Sequence, residues 1–152
     1  MSDRETARGQ LAAVWADQMP ITGALGITIA ALDDRTLALA LPLAANRNHK
    51  GTAFAGSLAA LATLTGWSTL WLVTRAAHLD AHVVIQDSSI RYLHPVRSDA
   101  TASCRFPDAE SRDRLLATVG RRGRARLGLE VPVADTDGQV VALFTGRYVV
   151  HR

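Results

Sequence analysis

The chain has 152 residues, 48% of them hydrophobic and 20% charged, which excludes wholesale disorder and fits one domain able to build its own core. Its single cysteine, Cys104, excludes an internal disulfide, a zinc site built on two or four cysteines and a CxxC redox pair. The net charge is +3, and every basic residue except Lys50 is Arg. Such a balance argues for nucleic acid only where the charge gathers on one face.

The first nineteen residues are broken by Asp3, Glu5 and Asp17 and contain no apolar core with a cleavage site. They read as no signal peptide, and a cytoplasmic setting is expected. Leu11, Ala12, Trp15 and Met19 recur at helical spacing, predicting a helix over 4–18 that Pro20 stops. Two β-rich runs follow, about 24–32 and 35–43, with Asp33-Asp34 as the turn between them. A polar, Asn-rich loop over 44–52 leads into a long apolar helix at about 53–76. Residues 51–74 carry no charge, a length that could span a bilayer. Small and polar residues (Gly56, Ser57, Thr63, Thr65, Gly66) and one flanking charge on each side point instead to a buried helix.

Beyond it the period changes to two. Strands are predicted over 83–94 and 100–106, then a short charged helix at 108–119. Ala125, Leu127, Leu129, Val131 and Val133 alternate up to the turn Asp135-Thr-Asp-Gly138, and 139–150 returns as the second arm of a hairpin. Strands without helical crossovers make a mostly antiparallel α+β sheet in a single domain, 1–152. A helix apolar all round must be wrapped by that sheet, or sandwiched between it and a partner subunit. This is the hotdog fold.

Specific residues then resemble a family. Asn48-His-Lys-Gly51-Thr-Ala-Phe54-Ala-Gly56-Ser57, running into Gly66-Trp67, resembles the loop-to-helix signature of hotdog acyl-CoA thioesterases, whose phenylacetyl-CoA type reads roughly N-x-x-G-x-x-H-G-G. Ser88-Ser-Ile-Arg-Tyr-Leu-His-Pro95 is similar to that family's strand after the helix, and Arg121-Arg-Gly-Arg124 to the start of its penultimate strand. The likeness is closest to the thioesterase domain found behind GNAT acetyltransferase domains, and it covers about 20–150.

The resemblance implies a homodimer or dimer of dimers, with sheets joined edge to edge and sites at the interface. The substrate it implies is an acyl-CoA or acyl-carrier-protein thioester, with coenzyme A as part of the substrate and no separate cofactor. The thioester carbonyl would lie at the N-terminus of the long helix, whose unpaired N–H groups suit a developing oxyanion. Gly56 and Ser57 sit in that first turn, where no bulky side chain is expected to block the substrate. Asn48 would orient the carbonyl or the water; its ordinary role would be a cap or an Asx-turn. Arg122, Gly123 and Arg124 fall where the family binds the pantetheine and nucleotide of CoA, and guanidinium forks suit phosphates.

The pattern departs from the family at the proton acceptor. The family's helix Asp falls on Thr63 and its motif His on Phe54, and 53–76 has no Asp or Glu. A threonine hydroxyl holds water but is no base near neutral pH. Asp87 is the first alternative: simple alternation would put it on one face with Ile85 and Ser89, and Ile85 aligns with a family Ser that binds the attacking water. His49 in the motif loop and His82 on the strand are the others. His78, Asp80 and His82 offer too few ligands for a metal, so none is expected. Hydratase chemistry would want a His–carboxylate pair that the motif region lacks. The Arg cluster at 112–126 lacks interleaved aromatics, so a solvated face is favoured over an RNA surface. The competing function is a non-catalytic acyl-CoA or acyl-carrier-protein binding module. Trp67 and Trp71 suggest apolar surface left for a partner to cover.

Overall fold

A computed structural model of the chain describes residues 2–152. Helix α1 (Asp3–Gln18) opens with a capping box between Ser2 and Glu5, and α2 (Ile21–Leu25) follows Pro20. Gly26, at φ 72°, ends α2, so the run expected as strand from 24 begins as helix. A Cβ there would stand 2.8 Å from the Pro42 ring, leaving room only for glycine. Strands β1 (Thr28–Leu32) and β2 (Thr36–Leu41) form a hairpin. Its turn is held by the Asp33 carboxylate, which accepts the N–H groups of Arg35 and Thr36 at 2.7 and 2.9 Å.

Helix α3 (Ala55–Ala76) is the longest element and is mostly buried. It is long and apolar enough to cross a bilayer, but here it forms the core of the domain. Three of its buried hydroxyls are satisfied locally: Thr65 donates to Leu61 O, Thr69 to Thr65 O and Thr74 to Trp71 O. After it come β3 (His82–Tyr92), β4 (Ala100–Arg105), α4 (Ala109–Arg122), β5 (Arg124–Ala134) and β6 (Val140–His151). Asp108 caps α4, and Leu115 and Val119 are its buried face. The expected hairpin is present, its turn held by Asp135, which accepts the N–H groups of Asp137 and Gln139.

All strand pairings are antiparallel, in the order β1-β2-β4-β5-β6-β3. This six-stranded sheet around a central helix is the expected α+β hotdog architecture. Alternate residues of β5 and β6 (Val131, Val133, Phe144, Tyr148, Val150) point to α3 and are buried. Helix α1 lies on the other side of α3, where the Trp15 indole donates to the Ser68 hydroxyl at 3.3 Å. The chain itself therefore covers part of the surface expected to need a partner. Trp71 is buried beneath the Arg75 guanidinium, and the Trp67 indole donates to Val83 O. Large apolar side chains remain exposed at Ile21 on α2, at Phe54, at Val84, Tyr92 and Leu93 along and just beyond the edge strand β3, and at Val140 and Leu143 on β6.

Candidate active site at the start of the central helix

The loop before α3 is tied down by two asparagines. Asn46 is buried. Its side-chain amide donates to Leu25 O and Pro42 O, both at 2.8 Å, and its main-chain carbonyl accepts the Phe54 N–H at 2.7 Å. Its side-chain oxygen is the only buried side-chain polar atom without a partner among the described residues. Asn48 closes the next turn: its Oδ1 accepts from the N–H groups of Lys50 and Thr52, and its Nδ2 donates to the Thr52 hydroxyl at 2.7 Å. Asn48 thus builds the Asx-turn that delivers the chain into the helix.

The helix itself begins without a side-chain cap. Ser57 and Leu58 donate to Phe54 O, while the N–H groups of Ala55 and Gly56 have no partner among the described residues. Those two amides, at the positive end of a 22-residue helix, make a site that favours an anion or an oxyanion. Gly56 does not leave the turn open as expected. Phe54, itself exposed, folds its ring over it, and a Cβ on Gly56 would lie 2.5 Å from that ring. The glycine is the seat of the phenyl group. Ser57 points inward and is buried.

A cavity of about 350 Å³ opens beside this turn, lined among others by Asn48, Thr52, Ala55, Leu58, Tyr92 and His94. The Tyr92 hydroxyl donates to Ala55 O at 3.0 Å, which pins the end of β3 to the first residue of α3. Tyr92 and His94 were missed as site residues by sequence reasoning. Their only signal was membership of the strand motif ending at Pro95.

The other expected site residues do not converge on this cavity within one chain. His49 is exposed on the loop and is absent from the cavity wall. Thr63 lies two turns down α3, about 12 Å along the axis from Ala55. It is half-buried, and its carbonyl accepts the Tyr148 hydroxyl at 2.7 Å.

Asp87 is a correction. Ile85 pairs with Tyr148 but Asp87 pairs with Arg147, because one extra residue bulges from β3 between them. Tyr148 and Arg147 face opposite sides of the sheet, so Ile85 looks toward α3 while Asp87 looks away from it. Asp87 is exposed on that outer surface rather than walled by apolar groups. His82 sits beside His151 at the far end of β3, with ring centroids 5.4 Å apart.

The arginines are also placed differently. Arg121 and Arg122 are the last turn of α4, Gly123 is its left-handed cap at φ 77°, and Arg124 opens β5. Arg124 pairs with His151, which pairs with His82. The cluster therefore lies at the opposite end of β3 from Tyr92, roughly 33 Å away at the usual rise per residue. Among the described residues, no three His, Cys, Asp or Glu side chains are grouped to hold a metal ion.

With this geometry in view, comparison with known proteins is specific. A family model described as "Putative thioesterase (yiiD_Cterm)" matches residues 8–152. A solved structure described as a "putative thioesterase" from Shewanella oneidensis is 34% identical, with the match covering 97% of this chain and 99% of that one at a TM-score of 0.87. A protein of unknown function from Chlorobaculum tepidum superposes at a TM-score of 0.94 with 27% identity, over 98% of this chain and 96% of its own. A Pseudomonas aeruginosa protein described as a "probable thioesterase" reaches 0.81, also at 27% identity, over 97% of this chain and 94% of its own. The family match spans nearly the whole sequence, and the chain belongs to this hotdog thioesterase family.

Proposed function

We propose that the protein is a cytoplasmic homodimer that hydrolyses acyl-CoA or acyl-carrier-protein thioesters at the start of α3. The observation that carries the reading is the pair of unpartnered amides at the start of α3, Ala55 and Gly56, the first of which belongs to the wall of a cavity large enough for a thioester and part of its chain. The thioester oxygen takes hydrogen bonds from these amides, which strengthen as the carbonyl becomes a tetrahedral oxyanion. Asn48 holds the loop that keeps the amides in place.

The homodimer reading rests on β3. It is an edge strand of 11 residues without Lys or Pro, and Val84 and Tyr92 on it are exposed. Edges of this kind are ordinarily protected or paired. Two-fold antiparallel pairing of β3 with its copy brings the His82 end of one strand beside the Tyr92 end of the other. Arg122, Gly123 and Arg124 of one subunit then lie toward the cavity of the other, where guanidinium groups suit the phosphates of CoA. A dimer of dimers would reuse the same pairing.

One observation favours a second reading, a non-catalytic acyl-thioester binding module: α3 carries no carboxylate, and Asp87 faces away from it. A thiol-release screen over short, medium, long and aromatic acyl-CoAs separates the two. Steady turnover of any of them supports hydrolysis; tight binding without release makes the protein a binding module.

A further inference from the structure

We infer that His94 is the general base of this site, an inference that rests on the thioesterase reading above and names the group it lacks. Two clamps fix the position of this residue. The Tyr92 hydroxyl donates to Ala55 O at 3.0 Å, and the Ala53 N–H donates to Val96 O at 2.8 Å. His94 is midway between them in the chain, so it is held against the segment 53–55 from both sides. Its Cα lies within about 7.6 Å of the Cα atoms of both Tyr92 and Val96, two peptide units from each. Its own N–H is fixed by Val141 O, which leaves the ring as the variable part.

The remaining polar side chains of the cavity are committed elsewhere. Asn48 and Thr52 are bound to one another, and the Tyr92 hydroxyl is bound to Ala55 O. His94 is exposed and belongs to the cavity wall, and its ring makes no hydrogen bond among the described residues. An imidazole is also the one side chain on this wall whose uncommitted nitrogen lone pair can accept a proton.

The step balances with water alone. A water between the imidazole and the thioester attacks the carbonyl carbon, and its proton passes to the free ring nitrogen. The oxyanion forms on the Ala55 and Gly56 amides. Collapse breaks the carbon–sulfur bond, and the imidazolium returns the proton to the leaving thiolate. The products are a carboxylic acid and a thiol, and the histidine is regenerated.

The test measures thiol release from the best acyl-CoA of the screen as a function of pH, for the wild type, His94→Gln and His94→Ala. We expect kcat to fall about a hundredfold or more in both variants with KM little changed, and the acid limb of the wild-type profile to vanish. Added imidazole should restore part of the turnover of His94→Ala, which a purely structural role would not allow. Melting temperatures close to wild type are expected, because the ring is exposed. If both variants keep the wild-type kcat and acid limb, His94 is not the base, while the thioesterase reading stands. If the wild type releases thiol from no acyl-CoA, that reading falls and the base assignment falls with it.

Discussion

The hydroxyl of Tyr148 on β6 donates to the carbonyl oxygen of Thr63 on α3 at 2.7 Å, and it does so across the bare backbone of Gly66. The ring lies so close to that glycine that a Cβ there would meet Tyr148 Cζ at 2.6 Å. The sheet and the helix are therefore locked at one point by a phenol in a notch.

Gly66→Ala should destabilise the protein by about 1–3 kcal/mol, the usual cost of forcing a methyl group into a filled core. Tyr148→Phe in the same chain should relieve only part of this, since the ring carbons stay in the way. Denaturant unfolding of the two single variants and the double variant measures the coupling.

Burial, and to a smaller extent the neighbouring Cys104, keeps the Tyr148 hydroxyl neutral far above the ordinary tyrosine range. A group whose folded pKa is raised gives stability that is complete below its unfolded pKa, near 10, and is lost as pH rises beyond it. Stability should fall by up to about 1.4 kcal/mol per pH unit above pH 10 on account of this residue alone. Tyr148→Phe should flatten that decline in thermal melts between pH 9 and 11.

Asp87→Asn should leave kcat within about threefold of wild type, because the carboxylate stands on the sheet surface turned away from α3. A hundredfold loss would mean that the outer face of β3 belongs to the reaction after all.

Replacing Arg122 and Arg124 by Ala should weaken CoA binding severalfold and reduce its salt dependence, with the fold intact. Calorimetric titration at two ionic strengths reads both effects; unchanged affinity and slope would make the cluster a solvated surface.

Sedimentation should give twice the chain mass at micromolar concentration, or four times for a dimer of dimers, and Val84→Lys should shift the protein toward monomer. A lysine on an exposed edge strand is an ordinary way of keeping strands apart. A wild type that sediments as a monomer would remove the shared-site geometry.

Much of the fold was legible in the sequence because it is written in periods. The uncharged stretch of α3 and the alternation of Leu129, Val131 and Val133 identify a buried helix and a half-buried strand from residue types alone. What was lost lies where the period breaks. The bulge after Ile85 adds one residue and turns Asp87 to the wrong side, and no residue type marks it. The run from residue 24 is apolar enough to resemble a strand, and the left-handed Gly26 marks that the chain is still turning there. Of the candidate site, the loop leading into α3 was legible through Asn48 and Gly51, whereas the open first turn expected at Gly56 is filled by the Phe54 ring. Tyr92 reaches the site, and His94 is held beside it, through bonds of Tyr92 and Val96 that span some forty residues of sequence, which no local pattern carries.

The sheet order also sets a schedule for folding. Strand β3 leaves α3 with a single neighbour in the sheet, β6, which comes last of the six strands in chain order. Until β6 forms, β3 has neither edge paired, and the notch at Gly66 lacks its tyrosine. Closing such a distant contact is entropically slow. The rate-limiting event in folding should be the docking of β6, which in one motion fills the core, seats β3 and draws Tyr92 onto the start of the helix.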